Sequence, residues 1–115
     1  EVADKVVKLA KADHIIWKKR LSSMVAGREQ VDHNTLTDHH QCRLGKWYDG
    51  NGSTAYRSNP SFARLEEPHR MVHAHGREAA RLFNAGELDR ALVEIGQVEK
   101  SSAEVLRLLG ELEAK

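Results

Sequence analysis

The stretch VADKVVKLAKADHIIWKKRLSSMVA, residues 2–26, has the apolar spacing of one long amphipathic helix. Side chains that recur every three or four residues share one face of a helix. On this stretch they are Val6, Ala10, His14, Trp17, Leu21 and Met24. Gly27 follows and predicts the end of the helix, because glycine is common just after a helical C-terminus. The unusual member of this apolar face is His14.

A second long helix is predicted between residues 59 and 84. It begins near residues 59–61, because Pro60 suits a first helical turn, and it ends at Asn84-Ala85-Gly86. Pro68 lies inside the pattern and predicts either a kink or the start of a separate helix at His69. The apolar face of this region comprises Phe62, Leu65, His69, Val72 or Met71, His73, Ala79 or Ala80, and Phe83.

The C-terminal third also has helical periodicity, in residues 87–95 and again from Val98 onward. The residues predicted to face inward are Leu88, Ala91, Leu92, Ile95, Val98, Val105, Leu106, Leu109 and Leu112. Residues 28–34 and 49–60 are rich in polar and turn-forming residues, which predicts loops. Between them we expect a short helix through Cys42, Leu44 and Trp47, capped by Thr37 or Asp38.

These patterns predict an all-α fold, an antiparallel four-helix bundle with additional short helices. The 115 residues suit a single domain, residues 1–115, whose terminal helices we expect to continue into neighbouring domains. With a formal net charge of +1, no overall field favours nucleic acid. No apolar run is long enough to span a membrane, so we expect no membrane contact. One cysteine and no secretory signal favour the cytoplasm.

Seven histidines are many for this length, and three of them lie in apolar context. His69 and His73 are four residues apart, so a helix places both imidazoles on one face, at a spacing that chelates zinc. Cys42 offers a thiolate, which with two or three imidazoles makes a tetrahedral zinc set. Spacing alone leaves His14 or His39 as the fourth ligand. Hydrophobic context favours His14, because a buried imidazole needs a partner.

Each of these residues also has a plainer interpretation. A lone buried histidine such as His14 is usually neutral and hydrogen-bonded, and a free cysteine is usually a small core residue. A pair of histidines four apart arises easily by chance in a histidine-rich chain. We expect His33, His39 and His40 to be solvated, or at most to support a ligand, and His75 to lie at the surface.

The motifs together resemble the chemoreceptor zinc-binding domain, a bacterial regulatory module. They read His14-xx-Trp17, Cys42-x-Leu44-Gly45-x-Trp47-Tyr48 and Pro68-His69-xxx-His73. The resemblance implies a helical bundle that tends to form homodimers and holds zinc on His14, Cys42, His69 and His73. It also implies a cytoplasmic chemotaxis receptor, or a diguanylate cyclase, with a signalling domain in the same polypeptide. Some members sense zinc, and others sense hypochlorous acid through the zinc-bound cysteine.

Four protein ligands would leave no position for a catalytic water, and HRMVH carries no glutamate as a general base. We therefore expect no enzyme. Zinc would keep Cys42 as a thiolate, the form that oxidants attack, which makes it the expected redox-sensing residue. The alternative is a structural zinc-stabilised dimerisation bundle. Near the site, we expect Trp17 and Trp47 to pack, Gly45 to allow a tight turn or end a helix, and Asp38 to cap a helix or accept from a ligand N–H.

Overall fold

The structure of the protein, a computed structural model, describes residues 2–36 and 38–113. Its helices are α1 (Val2–Val25), α2 (Arg43–Trp47), α3 (Ser53–Tyr56), α4 (Pro60–Asn84) and α5 (Leu88–Glu113). A 3-10 turn at His33–Thr35 and a wide helical turn at Tyr48–Gly52 complete the helical segments. No described residue lies in a β-strand, which confirms the all-α prediction. Within the described ranges, no helix has both the length and the apolar character that a membrane span requires.

Two glycines end the long helices where the sequence predicts. Gly27 has a φ of +77° and lies just after α1, where the Arg28 N–H donates to the Ser23 carbonyl at 2.9 Å. Gly86 has a φ of +85° and lies just after α4. Both adopt the left-handed conformation that favours glycine at a helical C-terminus. The short connection that follows Asn84 lets α5 fold back along α4 as an antiparallel hairpin.

The first helix lies beside this hairpin. His14 packs against His69, and Trp17 packs against His73, so α1 and α4 run in the same direction. On the other side, Lys18 contacts Glu99 of α5 at 3.2 Å. The apolar face of α1 is buried against both helices, as the spacing predicts, with Ala10, Leu21 and Met24 at 1% exposure or less.

The fourth position of the bundle is filled by residues 26–59, which contain only short helices. Near the start of this segment, the Asn84 side chain donates to the Val31 carbonyl at 2.7 Å. Further along, the Tyr48 hydroxyl donates to the Phe62 carbonyl at 2.8 Å. The contacts therefore move from the end of α4 to its beginning, and the segment runs antiparallel to α4. The predicted antiparallel four-helix bundle is therefore present, and short helices take the place of its fourth long helix.

Residues 53–56 differ from the loop prediction because they form the helix α3, whereas residues 48–52 form a wide turn with non-helical dihedral angles at Gly50. The turn-forming residues of this segment do not decide its conformation, because tertiary packing overrides their local preference. The Trp47 ring lies directly on Gly52, where an added Cβ would be 2.9 Å from the indole. Tyr56 of α3 packs near Trp47, with ring centroids 5.8 Å apart. Pro68 is likewise inside a single continuous α4 and starts no second helix.

The inward face of α5 also differs near its start. Leu88 and Leu92 are 45% and 47% exposed, although the periodicity predicts burial. Ala91 is fully buried between them. The buried face follows Ala91, Val98 and Val105, a seven-residue repeat that places the two leucines on its flanks. The predicted cap of the Cys42 helix at Thr37 lies outside the described residues.

Candidate metal centre

Three imidazoles lie in the core between α1 and α4. His14, His69 and His73 are 2%, 1% and 2% exposed. Their ring centroids are 5.0–5.6 Å apart in all three pairs. The helical spacing of His69 and His73 presents both rings on the face of α4 that meets His14. Helix packing alone thus brings three nitrogen donors to one point.

Cys42 lies against this cluster from the fourth position of the bundle. Its sulfur is 3.2 Å from Nε2 of His69. One ligand atom from each of His14, Cys42, His69 and His73 lies within 4.8 Å of the others. Cys42 is the N-cap of α2 rather than a residue within it, and its sulfur accepts the Gly45 N–H at 3.4 Å. The thiol is partly exposed, unlike the three histidines.

The donor atoms fit a zinc ion. Both nitrogens of His14 are buried and have no hydrogen-bond partner among the described residues. Burial, and next the neighbouring His73 and Lys18, lowers the pKa of His14 to about 4. Burial, followed by the neighbouring imidazoles, lowers the pKa of His69 to about 2. A neutral imidazole with a buried lone pair is able to bind a metal ion. Three such nitrogens and one sulfur suit the tetrahedral coordination of zinc.

The protonation state of the Cys42 thiol depends on whether a cation is bound next to it. Burial raises the pKa of its thiol above the usual 9.0, which outweighs the lowering by the N–H groups of Gly45 and Leu44. The metal-free cysteine is therefore a neutral thiol at pH 7. A bound divalent cation reverses this preference and holds the sulfur as a thiolate.

Gly45 positions the cysteine through a close backbone approach. It is buried within α2, and an added Cβ would overlap the carbonyl oxygen of His39. The turn at residues 39–41 therefore lies directly on this glycine, which neither makes a tight turn nor ends the helix. Asp38 caps the same turn, since its Oδ1 accepts the N–H groups of His40 and Gln41 at 2.9 and 3.0 Å.

Of the two tryptophans, Trp17 packs against the centre and Trp47 packs against the start of α4. The Trp17 ring is 4.8 Å from the His73 ring, and its far edge lies where a Cβ on Gly76 would be. Trp47 is 8% exposed and packs edge-on against Phe62. Sequence reasoning missed Gly76. The available signal was an isolated glycine inside an apolar helical pattern, which often marks close packing.

Three of the four remaining histidines pair with carboxylates, and Nδ1 of the fourth, His33, is buried without a hydrogen-bond partner among the described residues. Nε2 of His39 is 2.8 Å from Glu66, and the side chain of His39 is only 12% exposed. Its ring lies 5.7 Å from that of His69, so of the two expectations a supporting position beside a ligand fits His39 better than a solvated one. Nδ1 of His40 is 2.7 Å from Asp49, and that imidazole is 55% exposed. His75 pairs with Glu94 at 2.6 Å, at the rim of the α4–α5 hairpin.

Comparison with protein families gives one finding. The family model described as the chemoreceptor zinc-binding domain matches residues 14–80, more than half of the chain. The matched region begins at His14 and includes Cys42, His69 and His73. Neither a comparison with curated proteins nor one with solved structures finds a match.

Replacement of Gly45 by alanine tests the close approach that positions Cys42. The new methyl overlaps backbone rather than a movable side chain, so Gly45→Ala should lower the free energy of unfolding by about 2–3 kcal/mol. Gly96→Ala is the matched control, because a Cβ there meets nothing within 4 Å. The control should gain about 0.5–1 kcal/mol from helix propensity. Denaturant unfolding of both variants measures this, and equal effects would contradict the packing account.

The buried histidines predict a pH dependence of the metal-free protein. Their folded-state pKa values, about 4 for His14 and about 2 for His69, lie below the ordinary 6.5, so the unfolded chain binds more protons. Stability is therefore present above pH 6.5 and is lost as the pH falls toward 4, by on the order of 3 kcal/mol for His14.

Urea unfolding in the presence of a chelator, from pH 7.5 to 4.5, measures this loss. His14→Leu should make the pH profile less steep, because leucine cannot be protonated, and the remaining slope comes from His69. His40→Ala should not make the profile less steep, because the hydrogen bond to Asp49 raises the pKa of His40, so His40 favours the folded protein at low pH. The same steep profile in His14→Leu would contradict the assignment.

Proposed function

This chain belongs to the chemoreceptor zinc-binding domain family, and we propose that it is a zinc-binding sensory domain of a bacterial signalling protein. Its proposed ligands are His14, Cys42, His69 and His73, whose donor atoms lie within 4.8 Å of one another. The setting we favour is a cytoplasmic chemoreceptor, and a diguanylate cyclase is the alternative. A full set of four protein ligands leaves no position for a catalytic water, so the proposed role is regulatory and not enzymatic.

The observation that carries this proposal is the unequal support of the four ligands. The three histidines are held on the long helices α1 and α4 and are almost fully buried. Cys42 lies at the start of the five-residue α2 and is partly exposed. A helix this short has little stability of its own. The sulfur is therefore both the reachable ligand and the one whose support can detach without unfolding the bundle.

The chemistry that follows is a two-electron oxidation of Cys42. A bound zinc ion holds the sulfur as the thiolate, the nucleophilic form. The sulfur attacks the chlorine of hypochlorous acid and releases hydroxide, and water then displaces chloride to leave a sulfenic acid. A sulfenic acid is a poorer metal ligand than a thiolate. The Cys42 segment then detaches, which removes the packing of Trp47 on Phe62 of α4.

The signal would leave through the long helices. Detachment of the short segment opens one side of α4, and α4 packs along α1 and α5. We propose that α1 and α5 continue into a signalling domain of the same polypeptide and carry the altered packing to it. Loss of zinc itself would produce the same detachment, so zinc and oxidant remain two inputs of one switch.

A structural, zinc-stabilised dimerisation bundle is the second candidate function. Large apolar side chains remain exposed on α1 and α5: Leu9, Ile15, Ile16, Leu88, Leu92 and Val93. Exposed apolar groups mark an association surface where they form a contiguous patch. We propose that they form a homodimer interface, which is compatible with either the sensory or the purely structural role.

Zinc release by oxidant distinguishes the two functions. Protein purified without metal-chelating resin should contain one zinc per chain, and Cys42→Ala and His14→Ala should lose or weaken it. Titration with hypochlorous acid, with a chromophoric chelator present, should release zinc at a near-stoichiometric dose and before helical structure is lost. The matched control is His75→Ala, which removes a histidine of α4 outside the proposed ligand set.

The sensory and the structural function predict different results in this titration. Zinc that hypochlorous acid dislodges only on unfolding supports the structural function. Absence of zinc from the parent protein overturns both. A Cys42→Asp variant, which mimics an oxidised sulfur, should adopt the detached state without oxidant. Unchanged structure and unchanged receptor output in that variant would remove the switch.

The homodimer has its own test. Ile16 and Val93 are 60% and 63% exposed, so a glutamate at either position has no effect on the core and opposes association. Ile16→Glu and Val93→Glu should convert a dimer into a monomer in sedimentation velocity experiments. Ala74→Glu, at an exposed position on α4, is the control and should leave the dimer intact. A parent protein that sediments as a monomer would rule out this interface.

A further inference from the structure

A second group of metal-ligating side chains lies next to the centre described above. It consists of His39 and His40 in the turn before Cys42, and Glu66 on α4. One ligand atom from each lies within 4.8 Å of the others. Nε2 of His39 is 2.8 Å from a carboxylate oxygen of Glu66, and the two imidazole rings are 4.1 Å apart. The group shares no residue with the proposed zinc ligands.

Asp49 orients one of these imidazoles. Nδ1 of His40 is 2.7 Å from Oδ2 of Asp49. A carboxylate that accepts the Nδ1–H fixes the tautomer in which Nε2 carries the lone pair. Metal-ligating histidines commonly have such a carboxylate behind them. Nε2 of His40 is therefore the nitrogen available to an ion.

The fold holds the group in place without a metal. Asp38 caps the turn that carries both histidines, and the backbone of that turn packs directly against Gly45. Glu66 precedes His69 by three residues on α4, so it lies near the same face of a long, packed helix. In the docked state the donors thus come from two elements that already pack together, which reduces the ordering that binding requires.

From these contacts we propose that His39, His40 and Glu66 form a second site for a divalent cation of the zinc class, with Asp49 as a positioning residue. The side chains of the three ligands are 12%, 55% and 41% exposed, so water completes the coordination. Nitrogen and oxygen donors without sulfur suit Zn²⁺, and Cu²⁺ more strongly. The site is weaker and exchanges faster than a buried set with a thiolate.

Occupation of this site links the turn at residues 39–41 to α4. That turn ends directly before Cys42, so the second ion stabilises the docked state of the cysteine segment. An ion that binds only this state raises the melting temperature by mass action. Binding itself does not depend on the oxidant-sensing proposal, since none of its donors belongs to the proposed zinc ligands.

Calorimetric titration of zinc chloride into protein that already holds one equivalent tests the site. We expect a second, weaker equivalent per chain. His40→Ala and Glu66→Gln should each weaken it at least tenfold, and Asp49→Asn about 10–100-fold, the range typical of a lost supporting carboxylate. His75→Ala is the matched control, because it breaks a similar histidine–carboxylate pair, and should bind the second equivalent as the parent does.

Cobalt provides a second readout that separates the two sites. Co²⁺ on Cys42 should give thiolate charge-transfer absorption, which Cys42→Ser abolishes. The second equivalent should add no such absorption and should persist in Cys42→Ser. The inference is overturned if no second equivalent binds, if His40→Ala and Glu66→Gln bind it unchanged, or if His75→Ala loses it. Failure of the first site instead appears as loss of the charge-transfer band in the parent protein.

Discussion

Burial of three neighbouring imidazoles is the constraint on which this structure depends. His14, His69 and His73 fill space in the α1–α4 interface that aliphatic side chains usually occupy. Burial excludes water, and the neighbouring imidazoles disfavour protonation further, so His14 and His69 are held neutral. Lone pairs of this kind are costly in a core unless something accepts them. Under the proposed function, one divalent cation would accept all three, which would tie the packing of two long helices to a single ion.

The fourth ligand is held by different means. The long helices have many turns of backbone hydrogen bonds and wide apolar faces. The five-residue α2 has neither, and its position depends on a few tertiary contacts. One of these contacts is the close packing of the His39 carbonyl against Gly45. Another is the hydrogen bond that the Tyr48 hydroxyl donates to α4. Cys42 is therefore the proposed ligand whose position is conditional, while the three histidines are fixed by the fold.

The sequence predicted the long helices and the inward face of α1 because a buried face repeats at every turn. The same reasoning favoured His14, an imidazole in an aliphatic pattern, and the structure buries it. Contacts between distant segments produce no such periodic pattern in the sequence. Residues 53–56 form a helix that packs near Trp47, and Leu88 flanks a face centred on the smaller Ala91. Glu66 showed no sign of its contact with the turn before Cys42, because that pairing exists only in the folded bundle.

Under the proposed function, zinc and oxidant cannot act as independent signals on this chain. Burial raises the pKa of the Cys42 thiol, so the metal-free residue is protonated at pH 7 and reacts slowly with electrophiles. The cation that makes the sulfur reactive is also the ion that oxidation releases. Sensitivity to oxidant then requires prior occupation by zinc, and oxidation returns the domain to the same detached state as zinc loss. Both inputs act on one equilibrium, the docking of a short segment against three fixed histidines, and each shifts it only by its differential affinity for the docked state.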